Sequence, residues 1–189
     1  MRKNLVITGL FLLILLMSIG ANAQRNELAI TAGAQFPYNN QYSTGTSFAV
    51  GANYAHRIIH LPLVALYWEI PVVVAPKTVL RVPSSANYSS LFITPGLKLK
   101  LAPEFPVSPY FAAGGGYARY KLDSTAAGND TANTAVFDFG AGVDFKFFPY
   151  LSWRFEGRDF YTGSPSFGAL GETGRQHNLV AQTGMVFRF

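Results

Sequence analysis

The chain lacks cysteine altogether, and only 13% of its 189 residues are charged. The absence of cysteine excludes a disulfide framework and a thiolate metal site. The histidines His56, His60 and His177 lie in separate segments, and none forms a metal-ligand pattern with nearby carboxylates. The basic residues are scattered rather than gathered in one patch, which argues against nucleic-acid binding. We therefore expect no metal, no cofactor and no nucleic-acid partner.

Helical periodicity and long apolar runs are also missing, except in the first two dozen residues. There, two basic residues precede an apolar run from Leu5 to Ile19, and Ala21-Asn-Ala23 forms a small-x-small cleavage site. The run is short for a hydrocarbon core of ~30 Å, so a retained transmembrane helix is the less favoured interpretation. Residues 1–23 are predicted to be a cleavable signal peptide, and residues 24–189 a single domain.

The remaining sequence is rich in alternation, with an apolar residue at every second position. This period is typical of β-strands that have two unlike faces. The pattern predicts eight strands, at 27–36, 46–57, 63–74, 89–101, 110–121, 137–147, 151–161 and 178–189. Pro71 and Pro95 each remove a donor from the hydrogen-bond ladder, so each predicts an edge, a bulge or a strand end.

The connections between these segments alternate strictly in length. The long ones, at 37–45, 75–88, 122–133 and 162–176, are rich in Gly, Ser, Thr, Asn and Pro; the shorter ones are 58–62, 102–109 and 148–150. Outer-membrane barrels combine long external loops with tight periplasmic turns. The sequence therefore predicts an all-β fold, an eight-stranded antiparallel up-and-down transmembrane β-barrel.

Alternation alone does not say which face meets lipid, because a soluble lipocalin-like barrel alternates with its apolar face inside. Aromatic residues make up 15% of the chain and gather near strand ends, Tyr110 and Tyr120 among them, where membrane barrels carry aromatic girdles. The opposite face is rich in Gly, Ser, Asn and Gln, with charges of both signs. We expect the apolar face to meet lipid, and a soluble ligand-binding barrel remains an alternative.

The final residues, Met185-Val-Phe187-Arg-Phe189, have an aromatic side chain at the last position and apolar side chains two and four positions earlier. This arrangement resembles the C-terminal assembly signal of bacterial outer-membrane barrels, which makes Met185, Phe187 and Phe189 its candidate residues. Two stretches, 109–117 (PYFAAGGGY) and 140–149 (GAGVDFKFFP), are similar to strands of OmpA-like eight-stranded barrels.

The resemblance implies an integral protein of the cell outer membrane, exported through a cleaved signal peptide. It also implies partners, namely the barrel-assembly machinery and periplasmic chaperones during biogenesis, and outer-membrane lipid and lipopolysaccharide afterwards. The expected form is a monomer with a structural or surface-exposed role.

The polar face of the predicted strands supplies a set of charged side chains for the lumen. These are eight basic and four acidic residues: Glu69, Lys98, Lys100, Arg119, Lys121, Asp138, Asp144, Lys146, Arg154, Glu156, Arg158 and Arg188. Counting around the 148–150 turn places Asp144 opposite Arg154. Since a charge without a partner is costly in a narrow interior, we expect an ion-pair network that fills the lumen. The basic excess supports an alternative, a narrow and weakly anion-preferring channel.

Catalysis is not expected. Some barrels of the resembled kind act on lipid A through a His and a Ser two residues apart on a lipid-facing strand. No histidine of this chain has a Ser at that spacing. A nucleophile must lie within hydrogen-bond reach of its base, and no such set can be assembled from the sequence. Asp159 falls on the predicted lipid face near the external end of its strand and is interpreted as a girdle residue.

Overall fold

The computed structural model describes residues 25–38, 45–80, 86–122, 131–163 and 175–189. Most of them lie in β1 (Asn26–Tyr38), β2 (Ser47–His60), β3 (Val64–Leu80), β4 (Ala86–Ile93), β5 (Gly96–Leu101), β6 (Val107–Leu122), β7 (Thr131–Phe148), β8 (Leu151–Gly163) and β9 (Arg175–Arg188). Every paired strand is antiparallel to its neighbour. Within the described ranges, no helix is long and apolar enough to cross a membrane.

The strands close into a barrel. They pair in chain order around the ring, β1 pairs with β9, and the pairing of β2 with β3 completes the circle. The short strands β4 and β5 both pair with β3 on one side and with β6 on the other, so together they occupy one of eight strand positions. The predicted eight-stranded antiparallel barrel is confirmed.

The break between β4 and β5 falls at Thr94-Pro95, within the predicted strand 89–101. Pro71 lies in β3 directly across from this break, where a regular neighbour would have required its missing N–H; instead the Thr94 amide donates to the Pro71 carbonyl at 3.2 Å. On the other side β6 passes very close, and a Cβ at Gly116 would lie 2.0 Å from the Ile93 carbonyl oxygen. Both prolines therefore meet at one irregular point of the barrel wall.

The two ends of the barrel differ. The turn end carries the short connections 61–63, 102–106 and 149–150, and there Asn26 and Phe189 exchange two backbone hydrogen bonds of 2.9 and 3.0 Å. The loop end carries the other four connections. Most of the predicted loops 37–45, 122–133 and 162–176 lies outside the described residues, and the predicted signal peptide lies wholly outside them. The predicted loop 75–88 is too long, because residues 75–80 belong to β3 and residues 86–88 to β4.

The barrel wall has an apolar outer face and a mostly polar inner face. On β7 the outward Phe137, Phe139 and Phe147 are more than half exposed, whereas Asp138 and Asp144 between them are fully buried. The same parity holds on β8, as the sequence predicts. The inner face has two parts, a charged part toward the turn end and a part toward the loop end that contains a buried apolar cluster.

The sequence prediction for the faces of β6 is wrong. Tyr110 and Tyr120 were expected in the outer girdles, but both are buried inside the barrel. Their hydroxyl groups explain the inversion, because Tyr110 donates to Glu156 at 2.6 Å and Tyr120 lies 2.8 Å from the Thr162 hydroxyl. A tyrosine is favourable on the inner face, where its hydroxyl finds a partner, as well as at the membrane–water interface. Counting aromatic residues therefore does not predict which way a tyrosine side chain points.

Candidate functional site

The candidate site is the charged lumen, an inner layer of side chains with almost no exposure. It contains five acidic and five basic residues, each at most 8% exposed: Glu27, Glu69, Asp138, Asp144, Glu156, Lys98, Lys100, Arg154, Arg158 and Arg188. The formal charges of this set cancel. The structure thus brings together nine of the twelve residues that the sequence assigned to the lumen, and adds Glu27.

Three of the sequence-assigned residues are not in the charged lumen. Arg119 and Lys121 are exposed on the outer face of β6, because Ala118 and Tyr120 take the inward positions. Lys146 is partly exposed at the turn-end rim, where its ammonium group donates to the carbonyls of Pro103 and Glu104. The basic excess that supported an anion-preferring channel therefore does not exist in the lumen.

Glu27, which sequence reasoning missed, is the acceptor at the centre of the turn-end layer. Its carboxylate accepts hydrogen bonds from Lys98 at 2.8 Å and Lys100 at 2.5 Å, and from Arg188 at 3.2 Å. A signal for it was present in the sequence. Leu28 and Ile30 face outward, so the alternation of β1 places Glu27 inward.

Asp144 and Arg154 face each other across the β7–β8 hairpin, as the residue count predicts. The guanidinium donates twice to the carboxylate, from Nε at 2.8 Å and from Nη2 at 3.0 Å. Such a bidentate pair is strong and directional. Lys100 Nζ approaches the same carboxylate at 2.7 Å, so the hairpin pair is joined to the Glu27 cluster.

A second cluster, one level closer to the loop end, surrounds Arg158. Its Nη1 donates to Asp138 at 2.6 Å, and its Nη2 donates to Glu69 at 2.7 Å and to Glu156 at 3.2 Å. Lys98 connects the two clusters, since its Nζ lies 3.7 Å from Glu69. One guanidinium thus holds three carboxylates that come from three different strands.

Neutral groups add further hydrogen bonds to two of these carboxylates. Asn53 donates to Glu69 at 2.8 Å, and Gln182 donates to Glu156 at 2.7 Å. The ring of Tyr110 lies 4.7 Å from the Arg154 guanidinium and 5.6 Å from Lys98 Nζ, a cation–π arrangement between the clusters. Buried charges persist in proteins when they are paired and hydrogen-bonded in this way.

Aromatic and amide side chains close the lumen toward the loop end. Phe92 and Phe160 stack with ring centroids 4.7 Å apart, and Tyr120 packs edge-on against Phe92 at 5.9 Å. Nearby, Gln35 donates to Asn178 of the neighbouring β9 at 2.9 Å and accepts from Ser90 of β4, across the interior, at 3.1 Å. We call this group the aromatic plug. A cavity of about 10 Å³ lies beside the charged layer, where Arg154, Glu156 and Gln182 contribute to its lining; it has room for about one water molecule.

The lumen is chemically a filled, neutral polar core. Among the described residues, no group of three or more His, Cys, Asp or Glu side chains is arranged to hold a metal ion. Each carboxylate is engaged with at least one cation, while Asp138 Oδ1 and both Nη atoms of Arg188 have no hydrogen-bond partner among the described residues. The candidate assembly residues lie elsewhere, with Met185 and Phe187 outward on β9 and Phe189 joined to Asn26.

Comparison with known proteins identifies a fold. No protein-family model matches the chain, and no curated protein matches it. Solved structures do match. Neisserial surface protein A has 15% sequence identity, covers 87% of this chain and 96% of its own, and superimposes with a TM-score of 0.66. The outer membrane protein OprG from Pseudomonas aeruginosa has 10% identity, with coverages of 87% and 96% and a TM-score of 0.51.

The outer membrane enzyme PagL also matches, with 13% identity, coverages of 87% and 99%, and a TM-score of 0.50. At these identities the similarity concerns the fold alone. The fold of this chain is that of outer-membrane β-barrels, and because PagL shares it, the fold does not decide between an enzyme and a non-enzyme.

Proposed function

We propose that this protein is an integral outer-membrane barrel with a structural or surface-exposed role and a lumen closed by its own side chains. The observation that carries the proposal is the distribution of polarity across the wall. Large apolar side chains such as Ile30, Phe139 and Phe155 are at least half exposed on the outside, while ten charges are buried inside. The similar structures from Neisseria and Pseudomonas, a surface protein and an outer membrane protein, support the same location.

This distribution is the opposite of what a soluble ligand-binding barrel needs. A lipocalin-like barrel holds its ligand in an apolar interior and presents polar groups to water. Here the interior is charged toward the turn end and filled toward the loop end, and the exposed band is apolar. Only a lipid environment makes such an outer face favourable. The soluble alternative is therefore not proposed further.

A narrow channel is also less well supported than a closed barrel. The buried charges are balanced, five of each sign, so they provide no basis for anion preference. Each carboxylate is held by at least one cation at hydrogen-bond distance, and the aromatic plug lies across the loop-end half. An ion would have to separate pairs whose disruption costs several kcal/mol.

Export and assembly belong to the same proposal. Residues 1–23 would direct export and be removed, and Met185, Phe187 and Phe189 would be read by the barrel-assembly machinery, helped by periplasmic chaperones. The turn end would then face the periplasm, since membrane barrels place short turns there. We propose that the protein is a monomer. We also propose that it has no enzymatic activity, because His177 is followed two residues later by Leu179, not by the serine that the lipid A-active barrels use.

Planar-bilayer conductance of the refolded protein tests the proposal, with heat-modifiable gel mobility as the criterion of folding. We expect no discrete steps from wild-type protein. Arg154→Ala should lower stability, because Asp144 loses its bidentate partner, and should also remain silent because the aromatic plug is intact. Reproducible steps from wild-type protein that change in Arg154→Ala would contradict the closed barrel and favour the channel.

A further inference from the structure

Two amide side chains of the lumen each have a buried oxygen atom to which no described residue donates. Asn53 of β2 and Gln182 of β9 are 8% and 7% exposed. Each donates from its amide nitrogen to a carboxylate, Asn53 to Glu69 at 2.8 Å and Gln182 to Glu156 at 2.7 Å. These bonds fix the orientation of both amides, because a carboxylate only accepts hydrogen bonds. Asn53 Oδ1 and Gln182 Oε1 are thereby left without a hydrogen-bond partner among the described residues.

The two amides are the ends of one chain of hydrogen bonds. Arg158 Nη2 donates to Glu69 at 2.7 Å and to Glu156 at 3.2 Å. The chain therefore runs from Asn53 through Glu69, Arg158 and Glu156 to Gln182, with a hydrogen bond at every link. Both of its ends are acceptor oxygens. A group that donates two hydrogen bonds would join the ends and close the chain into a cycle.

Both amides line the same cavity, which has a volume of about 10 Å³. Gly51 of β2 is paired with Thr31 of β1, and both contribute to the lining. The missing side chain of Gly51 leaves room here, since a Cβ at this position would lie 2.9 Å from Gln182 Oε1 and 2.6 Å from Thr31 Oγ1. The Thr31 hydroxyl makes only a long hydrogen bond of 3.4 Å, to the Gly51 carbonyl.

A water molecule suits this site in size and in chemistry. The volume matches about one water, and buried waters typically make about three hydrogen bonds to polar groups that otherwise have no partner. A cation would also satisfy oxygen acceptors. However, Arg154 lines the same cavity and the ten buried charges of the lumen already cancel, so a further positive charge would be buried without compensation.

We propose that the cavity is a binding site for one structural water molecule. The water donates to Asn53 Oδ1 and to Gln182 Oε1, accepts from the Thr31 hydroxyl, and closes the cycle of hydrogen bonds that surrounds Arg158. Three neighbouring strands, β2, β1 and β9, hold it. The inference rests on the closed lumen of the proposed function, and it makes one solvent molecule a permanent part of that closure.

A crystal structure of refolded wild-type protein, at a resolution that shows ordered water, tests the site. We expect one density peak at roughly 2.7–3.0 Å from both amide oxygens, the distance of a hydrogen bond. Contacts of about 2.0–2.6 Å, the range of hard cations, would overturn the proposal in favour of a bound cation. A cavity without a peak would overturn it and leave the proposed function standing. A continuous file of peaks from the cavity to the turn end would overturn the closed lumen itself.

Two variants and a control test which groups hold the water. Gly51→Ala should lose the peak, because its methyl group takes the same space. Gly157→Ala is the matched control, since its Cβ would meet nothing within 4 Å, and it should keep the peak. Gln182→Met removes one acceptor oxygen and should also lose the peak, which provides a second test if Gly51→Ala does not fold. A peak of unchanged occupancy in Gln182→Met would overturn the assignment.

Discussion

At the scale of single residues, each buried charge of the lumen has only a few oppositely charged partners. Glu27 accepts from Lys98, Lys100 and Arg188, so one carboxylate is shared by three cations that have only Glu69 or Asp144 as further anionic partners. Removing one member of a buried pair is more damaging than replacing the whole pair, because the remaining charge stays buried without compensation. The loss in free energy of unfolding caused by a substitution in the lumen should increase with the number of buried charges that lose a partner.

Glu27→Gln is therefore expected to lower the free energy of unfolding by about 3–5 kcal/mol, the usual cost of breaking a buried ion pair. Equilibrium unfolding in detergent or lipid vesicles, followed by tryptophan fluorescence, measures it. The matched control is Glu104→Gln at the turn end, where the carboxylate is 59% exposed and lies 3.4 Å from His60; exposed pairs contribute little, so little change is expected. Equal stability of the two variants would contradict the central role of Glu27.

At the scale of elements, the wall has register shifts near Ile58, between Ala75 and Thr78 and near Phe147, and it is interrupted where β4 ends and β5 begins. The interruption at Thr94-Pro95 lies beside Pro71 of β3, so no regular strand residue there requires the N–H that Pro71 lacks. It also brings the backbone of β6 so close that Gly116 has no room for a side chain. The irregularity is thus shared by three strand positions and should be sensitive to a single methyl group.

Gly116→Ala is expected to destabilise the barrel by about 1–3 kcal/mol, as overpacking usually does. Gly157→Ala is the matched control within a strand, because its Cβ would meet nothing within 4 Å. It should be neutral or stabilise by about 0.4–1 kcal/mol through reduced freedom of the unfolded chain. Comparison of urea unfolding midpoints for the two variants is the measurement, and an equal response would show that the close approach at Ile93 is not a constraint.

At the scale of the whole molecule, the outer face is what relates the barrel to a membrane. Phe155 lies in the middle of β8, and Phe147 lies near the turn end of β7; both point outward and are at least half exposed. In water a charge at either position would cost little. In a bilayer the cost depends on depth, so the two positions distinguish the environments.

Phe155→Arg should therefore cost about 2–4 kcal/mol in lipid vesicles, whereas Phe147→Arg should cost only about 0–1 kcal/mol, since cationic side chains are least tolerated at the midplane. Unfolding titrations in vesicles of one lipid composition measure both. Equal stability of the two variants would contradict the membrane location. Variants that were more soluble than wild-type protein and folded without lipid would contradict it as well.

The sequence alone determined the strands, their number and the direction of most side chains, because a side chain's face follows from its parity along the strand. Asp144 and Arg154 could also be paired from sequence, since they flank one tight turn and their register is a local count. The break at Pro95 was likewise foreseeable, because proline has no N–H to donate. The signal peptide and the assembly residues remain predictions.

Apart from the Asp144–Arg154 pair, only the tertiary structure decided which charges meet. The partners of Glu27 lie between 71 and 161 residues away along the chain. Closure of the barrel pairs β1 with β9 and places the inner face of β1 across the lumen from that of β5. Tyr120 and Arg119 alternate on β6 as any strand residues do, but their direction depended on whether Thr162 was there to meet the phenol hydroxyl. Parity is a local property of the backbone, whereas the satisfaction of a buried polar group requires atoms that only the closed ring places beside it.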